Sequence, residues 1–205
     1  MKKIKKAILS GLLGFAFFFS ITLAATAATL GLTTQNPSVG ASSAIIDFFE
    51  FGADGDLSTF GWEIDTFNNV IPDGFAEFSF GIGFSLANPT VDASGGFNIF
   101  DETGLFLGGD LAAVGFTEDV IEFQFNNLVG SAATDFGSSA LLLVHFDESL
   151  GLNPFNELID GMFYTASVSI TSVLPQVVTM PVSEPAALPM VAMALLLMGY
   201  VRMRQ

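Results

Sequence analysis

The strongest local chemistry in this sequence belongs to Asp54, Asp56, Ser58 and Asp65. Counted from Asp54 they occupy places one, three, five and twelve, the spacing at which a short loop folds oxygen atoms around a calcium ion. Two departures mark the stretch. Thr59 stands where such a loop turns on glycine, and the closing carboxylate is the shorter Asp instead of a bidentate Glu. A solvated acidic turn is the competing reading. Zinc is disfavoured on donor chemistry, because the chain has no Cys and one His.

Catalysis has little to draw on. His145 shares a strand face with Leu141 and Leu143, which reads as a packed or edge residue and not a general base. No Gly-x-Ser-x-Gly elbow surrounds a serine. Two carboxylates can hydrolyse a glycoside, but among 21 acidic residues a close pair is expected by chance. Asp147 and Glu148 are neighbours in sequence and would point to opposite faces of a strand, as solvated hairpin acids do. No Lys or Arg lies between Lys6 and Arg202 to hold a phosphate or carboxylate group. The chain therefore reads as a non-enzyme. Trp62, Tyr164 and exposed Phe residues could stack on sugar faces, although a single Trp is more often core.

The basic residues sit only at the two ends. Lys2, Lys3, Lys5 and Lys6 precede an apolar run from Ala7 to Leu23 and a small-residue run from Ala24 to Ala28. This is the order of a secretory signal peptide over residues 1–27, with Ala25 and Ala27 as the small residues a signal peptidase requires. At the other end, residues 186–201 are uninterruptedly apolar and are followed by Arg202 and Arg204. Positive charge stays cytoplasmic, so this segment orients the middle of the chain outward, as the signal peptide does. Its sixteen residues span roughly 24 Å as a helix, short of a hydrocarbon core of roughly 30 Å.

Ser183-Glu184-Pro185, the short apolar span and the Arg-containing terminus together resemble the PEP-CTERM sorting tail, with Ser183 standing where that family has Pro. The resemblance covers residues 181–205. It implies recognition by an exosortase in an exopolysaccharide-producing Gram-negative bacterium, transient anchoring in the inner membrane, and cleavage near the motif that releases the protein to the cell surface or matrix.

Twenty of the 21 acidic residues, all but Glu184, fall between Asp47 and Asp160, so the net charge of −15 understates how anionic the middle is. Such a surface repels nucleic acid and anionic lipid and attracts cations, calcium among them. Without cations to pair them, the carboxylates repel one another. Screening salt is expected to raise the melting temperature in a thermal-denaturation series, and calcium to raise it further than matched sodium if carboxylates converge on an ion. Nineteen Phe residues outside the signal peptide supply a sizeable core.

Strand periodicity must position these groups. Phe78, Phe80, Ile82, Phe84 and Leu86 alternate with Ser79, Gly81, Gly83 and Ser85, and Ile121, Phe123 and Phe125 alternate with Glu122 and Gln124. Further strands are predicted over 44–51, 61–65, 97–100, 105–107, 140–146 and 163–173. Turns are predicted at 53–58, 68–74, 92–96, 108–110 and 130–139, and a short helix over 153–161. Residues 28–43 read as a linker or loose N-terminal strand, and 44–180 as the acidic, Phe-rich β domain. The fold class predicted is all-β, an antiparallel β-sandwich or jelly roll flanked by the signal peptide and a C-terminal transmembrane helix. Function follows in two forms: an exported, exosortase-processed, non-enzymatic surface or matrix protein associated with exopolysaccharide, or a secreted carbohydrate- or calcium-binding module.

Overall fold

Alternation of large apolar with small or polar residues becomes nine strands in the computed structural model, which describes residues 29–175. They are β1 (Thr34–Phe51), β2 (Asp54–Glu63), β3 (Thr66–Asn68), β4 (Glu77–Ser85), β5 (Ala93–Asp101), β6 (Gly104–Thr117), β7 (Val120–Val129), β8 (Ser139–Phe146) and β9 (Met162–Val173). The signal-peptide residues Ala25 and Ala27, the motif Ser183-Glu184-Pro185, the span 186–201, and Arg202 and Arg204 lie outside the described residues. No helix among the described residues is long and apolar enough to cross a membrane.

The antiparallel all-β class is observed, but the expected sandwich or jelly roll is not. One sheet runs β2-β4-β5-β6-β7-β8-β9-β1, and β1 also pairs with β2, so eight strands close into a barrel. The short β3 sits beside the first half of β1, with Val39 opposite Phe67. Alternation declares one buried face, which a sandwich and a barrel share. What distinguishes them is β1, long enough to pair with β9 along its length and with β2 over Asp47 to Phe51.

Twelve of the nineteen Phe residues are buried. Some of their rings meet edge to face, as between Phe97 and Phe125 at 4.7 Å and between Phe84 and Phe155 at 4.9 Å, and others are tilted or stacked, as Phe48 is on Phe84. Fully buried Ala44, Ala140 and Ala166 offset that bulk; Ala140 lies opposite Phe125 and Ala166 opposite Phe146. An eight-stranded barrel is about wide enough for its own side chains, and here Phe fills it.

Each end is covered. At one, helix α1 (Ala133–Phe136) brings in Phe136, whose carbonyl accepts from Ser172 Oγ at 2.7 Å. At the other, the segment between β8 and β9 buries Leu150, Phe155 and Leu158. The helix expected over 153–161 contracts to a 3-10 turn at Pro154–Asn156, with Asn153 Oδ1 accepting from Phe155 N at 3.2 Å. It extends no further because later amides are taken by tertiary partners: Ile159 N donates to Tyr164 Oη at 2.7 Å and Gly161 N to Phe48 O at 2.9 Å. The start of the segment is held by Asp119, which sits in the adjacent two-residue turn between β6 and β7 and whose carbonyl also accepts from Phe146 N at 3.0 Å. Its Oδ1 accepts from Leu150 N at 2.6 Å, Gly151 N at 3.1 Å and Ser149 Oγ at 3.2 Å.

Several boundaries move. The linker 28–43 is largely strand, since β1 begins at Thr34 and absorbs its irregular residues in register shifts after Gln35 and Ala41. Of the turns predicted at 92–96 and 108–110, residues 93–96 fall within β5 and 108–110 within β6. Their glycines allow close packing instead of reversal: a Cβ on Gly96 would lie 2.7 Å from Gly109 O, and one on Gly109 2.8 Å from Leu128 Cδ2. The turn placed at 53–58 shrinks to Gly52 and Ala53, with Phe51 already opposite Asp54.

Candidate functional site

On the outer wall, the richest stretch of carboxylate and aromatic side chains lies across β9, β1, β2 and β4. Register sets Asp47 of β1 between Phe163 of β9 and Ser58 of β2, Phe49 opposite Asp56, and Phe51 opposite Asp54. On the far side of β2, Asp54, Asp56 and Ser58 face Ser85, Gly83 and Gly81 of β4. Phe163 is 61% exposed, Phe51 69% and Phe49 39%. Aromatic faces therefore stand among carboxylates beside a strip of bare backbone.

Nothing in the fold requires that strip to be bare. An added Cβ at Gly81 or Gly83 would meet no atom within 4 Å, whereas one at Gly95, whose φ is 145°, would lie 2.1 Å from Gly81 O. Glycine in a strand costs about 0.5–1 kcal/mol relative to alanine. Gly81→Ala and Gly83→Ala are each expected to stabilise by about that amount in chemical denaturation, and Gly95→Ala to destabilise. Further around the wall, Gly95, Gly96, Asn98, Gly109, Asp110, Asn127 and Val129 line an open trough of about 490 Å³. Within it Asn127 Nδ2 donates to Asp110 Oδ2 at 3.2 Å.

In place of cations, several carboxylates take backbone amides. Glu122 accepts from Leu30 N at 2.7 Å and Asp160 from Glu50 N at 2.9 Å. Asp101, in the β5–β6 hairpin, shows the consequence. Burial alone would raise its carboxyl, but hydrogen bonds from Thr103 Oγ1 and from the amides of Asp73, Thr103 and Gly104 hold it below the usual 3.8. A depressed carboxylate stabilises the fold above its unfolded-state pKa, and that contribution is lost as pH falls through its folded-state value. Asp101→Asn is therefore expected to be less stable than the parent at pH 7 and to converge with it under acid, as urea titrations at each pH would show. Asp47 behaves oppositely. Desolvation raises its pKa, so its charge opposes folding as pH rises through that raised value.

The predicted calcium loop is not formed. Asp54 and Asp56 lie on the outer face of extended β2, Ser58 is buried, and Asp65 lies beyond the strand's end, where its carboxylate accepts from Ser42 N at 2.9 Å and also from Ser42 Oγ. At about 3.3 Å per residue, β2 from Asp54 to Glu63 alone spans roughly 30 Å, and Asp65 lies past its end. Without the loop glycine, Leu57 and Thr59 turn inward and the backbone is claimed by β1 and β4. Among the described residues no group of three or more Asp, Glu or His side chains converges to hold a metal.

The other sequence candidates also find their places. His145 points outward and is exposed, opposite Val120 and Ser167. Ser167 and the exposed Asp147 are its neighbours, a juxtaposition missed because it depends on strand pairing. Among the described residues no hydrogen bond joins the three, and Asp147 N is committed to Thr165 O. Tyr164 is buried, its ring 5.8 Å from Phe146, and Trp62 is partly buried against the core. The more exposed aromatic faces belong to Phe residues, Phe51 and Phe163 among them. The Asp47, Phe49 and Phe163 grouping was also missed in sequence; the one clue was the two-residue Gly52-Ala53 turn, which fixes the β1–β2 register. Compared with known proteins, the chain matches no family model, no curated protein and no solved structure.

Proposed function

We propose that this chain is an exported, exosortase-processed, non-enzymatic cell-surface or extracellular-matrix protein that associates with exopolysaccharide through the outer wall of its barrel. The observation that carries the reading is the distribution of Phe: twelve fill the interior, and Phe49, Phe51 and Phe163 stand outside among Asp47, Asp54 and Asp56. A filled barrel leaves its wall for contacts. There the aromatic rings suit the apolar faces of pyranose units, and carboxylates accept from hydroxyl groups. The tail's resemblance to a sorting signal supplies the route to the surface, and the surplus of negative charge keeps the released domain soluble.

Intact-mass analysis of protein recovered from the producing cell's exterior tests the route. Loss of residues 1–27 and of the tail from near Ser183 and Glu184 is expected. A surface-recovered chain still carrying Arg202 and Arg204 would refute sorting-type cleavage. Co-sedimentation with matrix polysaccharide tests the association, and enzymatic digestion of the polysaccharide is expected to release the protein.

A further inference from the structure

We infer that the wall formed by β9, β1 and β2 binds a glycan of hexosamine units carrying free amino groups, its rings seated on Phe49, Phe51 and Phe163 and its ammonium groups on Asp47, Asp54 and Asp56. This rests on the proposed association with polysaccharide and names the class. Charge complementarity selects it. Residues 29–175 contain no Lys or Arg, and Asp47, Asp54 and Asp56 make no side-chain hydrogen bond with another described residue, so this face offers carboxylates with no internal counter-charge. A neutral sugar would leave that charge unmatched, and a uronic acid polymer would be repelled.

The aromatic groups narrow the choice further. Phe51 and Phe163, each more than half exposed, present ring faces where a bare ion needs none. Desolvation of Asp47 between Phe163 and Ser58 disfavours its charge until a cation arrives, so an ammonium group placed there gains both a carboxylate and nearby rings. Gly83 and Gly81, beside Asp56 and Ser58, leave room for a flat ring to approach the backbone. A basic peptide fits less well. Asp47 and Phe48, at the centre of the face, are paired to β9 on one side and β2 on the other, so the strand there has no free edge for main-chain hydrogen bonds to an extended peptide.

The test uses protein recovered from the producing cells, titrated at physiological ionic strength with a glucosamine hexamer, its fully N-acetylated counterpart and hexalysine. Saturable binding of the free-amine hexamer is expected, with the acetylated hexamer at least about tenfold weaker. Phe51→Ala with Phe163→Ala is expected to weaken binding by about tenfold, as is Asp54→Asn with Asp56→Asn. Phe60→Ala with Phe100→Ala, exposed rings outside this grouping, is expected to leave it unchanged. Both Phe pairs are surface changes, and matched thermal melts would establish that the variants are folded. Equal binding of the two hexamers would overturn the amine requirement while leaving polysaccharide association standing. Hexalysine binding as tightly as the free-amine hexamer, with no effect of Phe51→Ala and Phe163→Ala, would reduce the face to a counter-ion surface and overturn the inference. If neither hexamer binds, the inference falls. The broader reading then falls with it only if the protein also fails to co-sediment with matrix polysaccharide.

Discussion

Phe123→Ala is expected to lower the free energy of unfolding by about 3–5 kcal/mol, a large part of the roughly 5–15 kcal/mol that a domain possesses. Phe123 is fully buried on β7, between Val114 of β6 and Leu142 of β8, with its ring 5.9 Å from Phe80 and 6.5 Å from Phe125. Its neighbours include rigid rings on strands locked into a closed sheet, so the vacated volume cannot collapse easily, and the cavity adds to the lost transfer energy. Phe163→Ala, on the outer wall, is the matched comparison and is expected to stay within about 0.5 kcal/mol of the parent. Urea denaturation of the two variants measures the difference. A cost below about 1 kcal/mol for Phe123→Ala would mean that the interior has slack, and the case for ligand chemistry on the outside would weaken with it.

Asp119→Gly is expected to cost about 2–4 kcal/mol. The carboxylate accepts from two backbone amides of the segment that covers one barrel mouth, those of Leu150 and Gly151, and without it both lose their partner. Leu150, Phe155 and Leu158 would then be less firmly held over the core. Glycine isolates this effect because Asp119 has φ of 60°, which glycine adopts without strain. Asp119→Ala keeps the lost hydrogen bonds and adds the left-handed penalty, so it is expected to be about 1 kcal/mol worse again. Hydrogen exchange offers a second readout: the amides of Leu150 and Gly151 should lose protection in the glycine variant before those of β7 and β8 do. Unchanged protection at Leu150 and Gly151 would show that the segment is held by its apolar contacts alone.

The strands richest in Phe were legible because their alternation is a local property. Phe78 to Phe84 and Ile121 to Phe125 carry it in consecutive residues, and both occur as read. Closure was not legible. It depends on β1 meeting β9 from the far end of the sequence, and Pro37, Gly40 and the serines at its start resemble a linker. Asp54, Asp56, Ser58 and Asp65 do not form the loop their spacing suggests, for a related reason. Twelve places in sequence make a loop only where a glycine turns the chain; in an extended strand the same residues lie in a line. The Asp47, Phe49, Phe163 grouping escaped notice because two of its members are over a hundred residues from the third, and only strand register brings them together. The proposed hexosamine face is assembled by strand pairings that no stretch of sequence displays by itself.

The antiparallel seam between β1 and β9 has a mechanical consequence. Thr34 lies opposite Val173, and Leu174 N donates to Thr33 O at 2.9 Å, so the chain enters and leaves the barrel at the same end. The rim that carries Phe51 and Phe163 is the opposite end. A pull between the two chain ends would peel β1 from β9 one hydrogen bond at a time. A pull between the chain beyond Leu174 and a polymer gripped at the rim instead runs along the strands, across ladder bonds that lie perpendicular to it and must yield together. Held at one end and loaded at the other, the barrel resists as a bolt in shear.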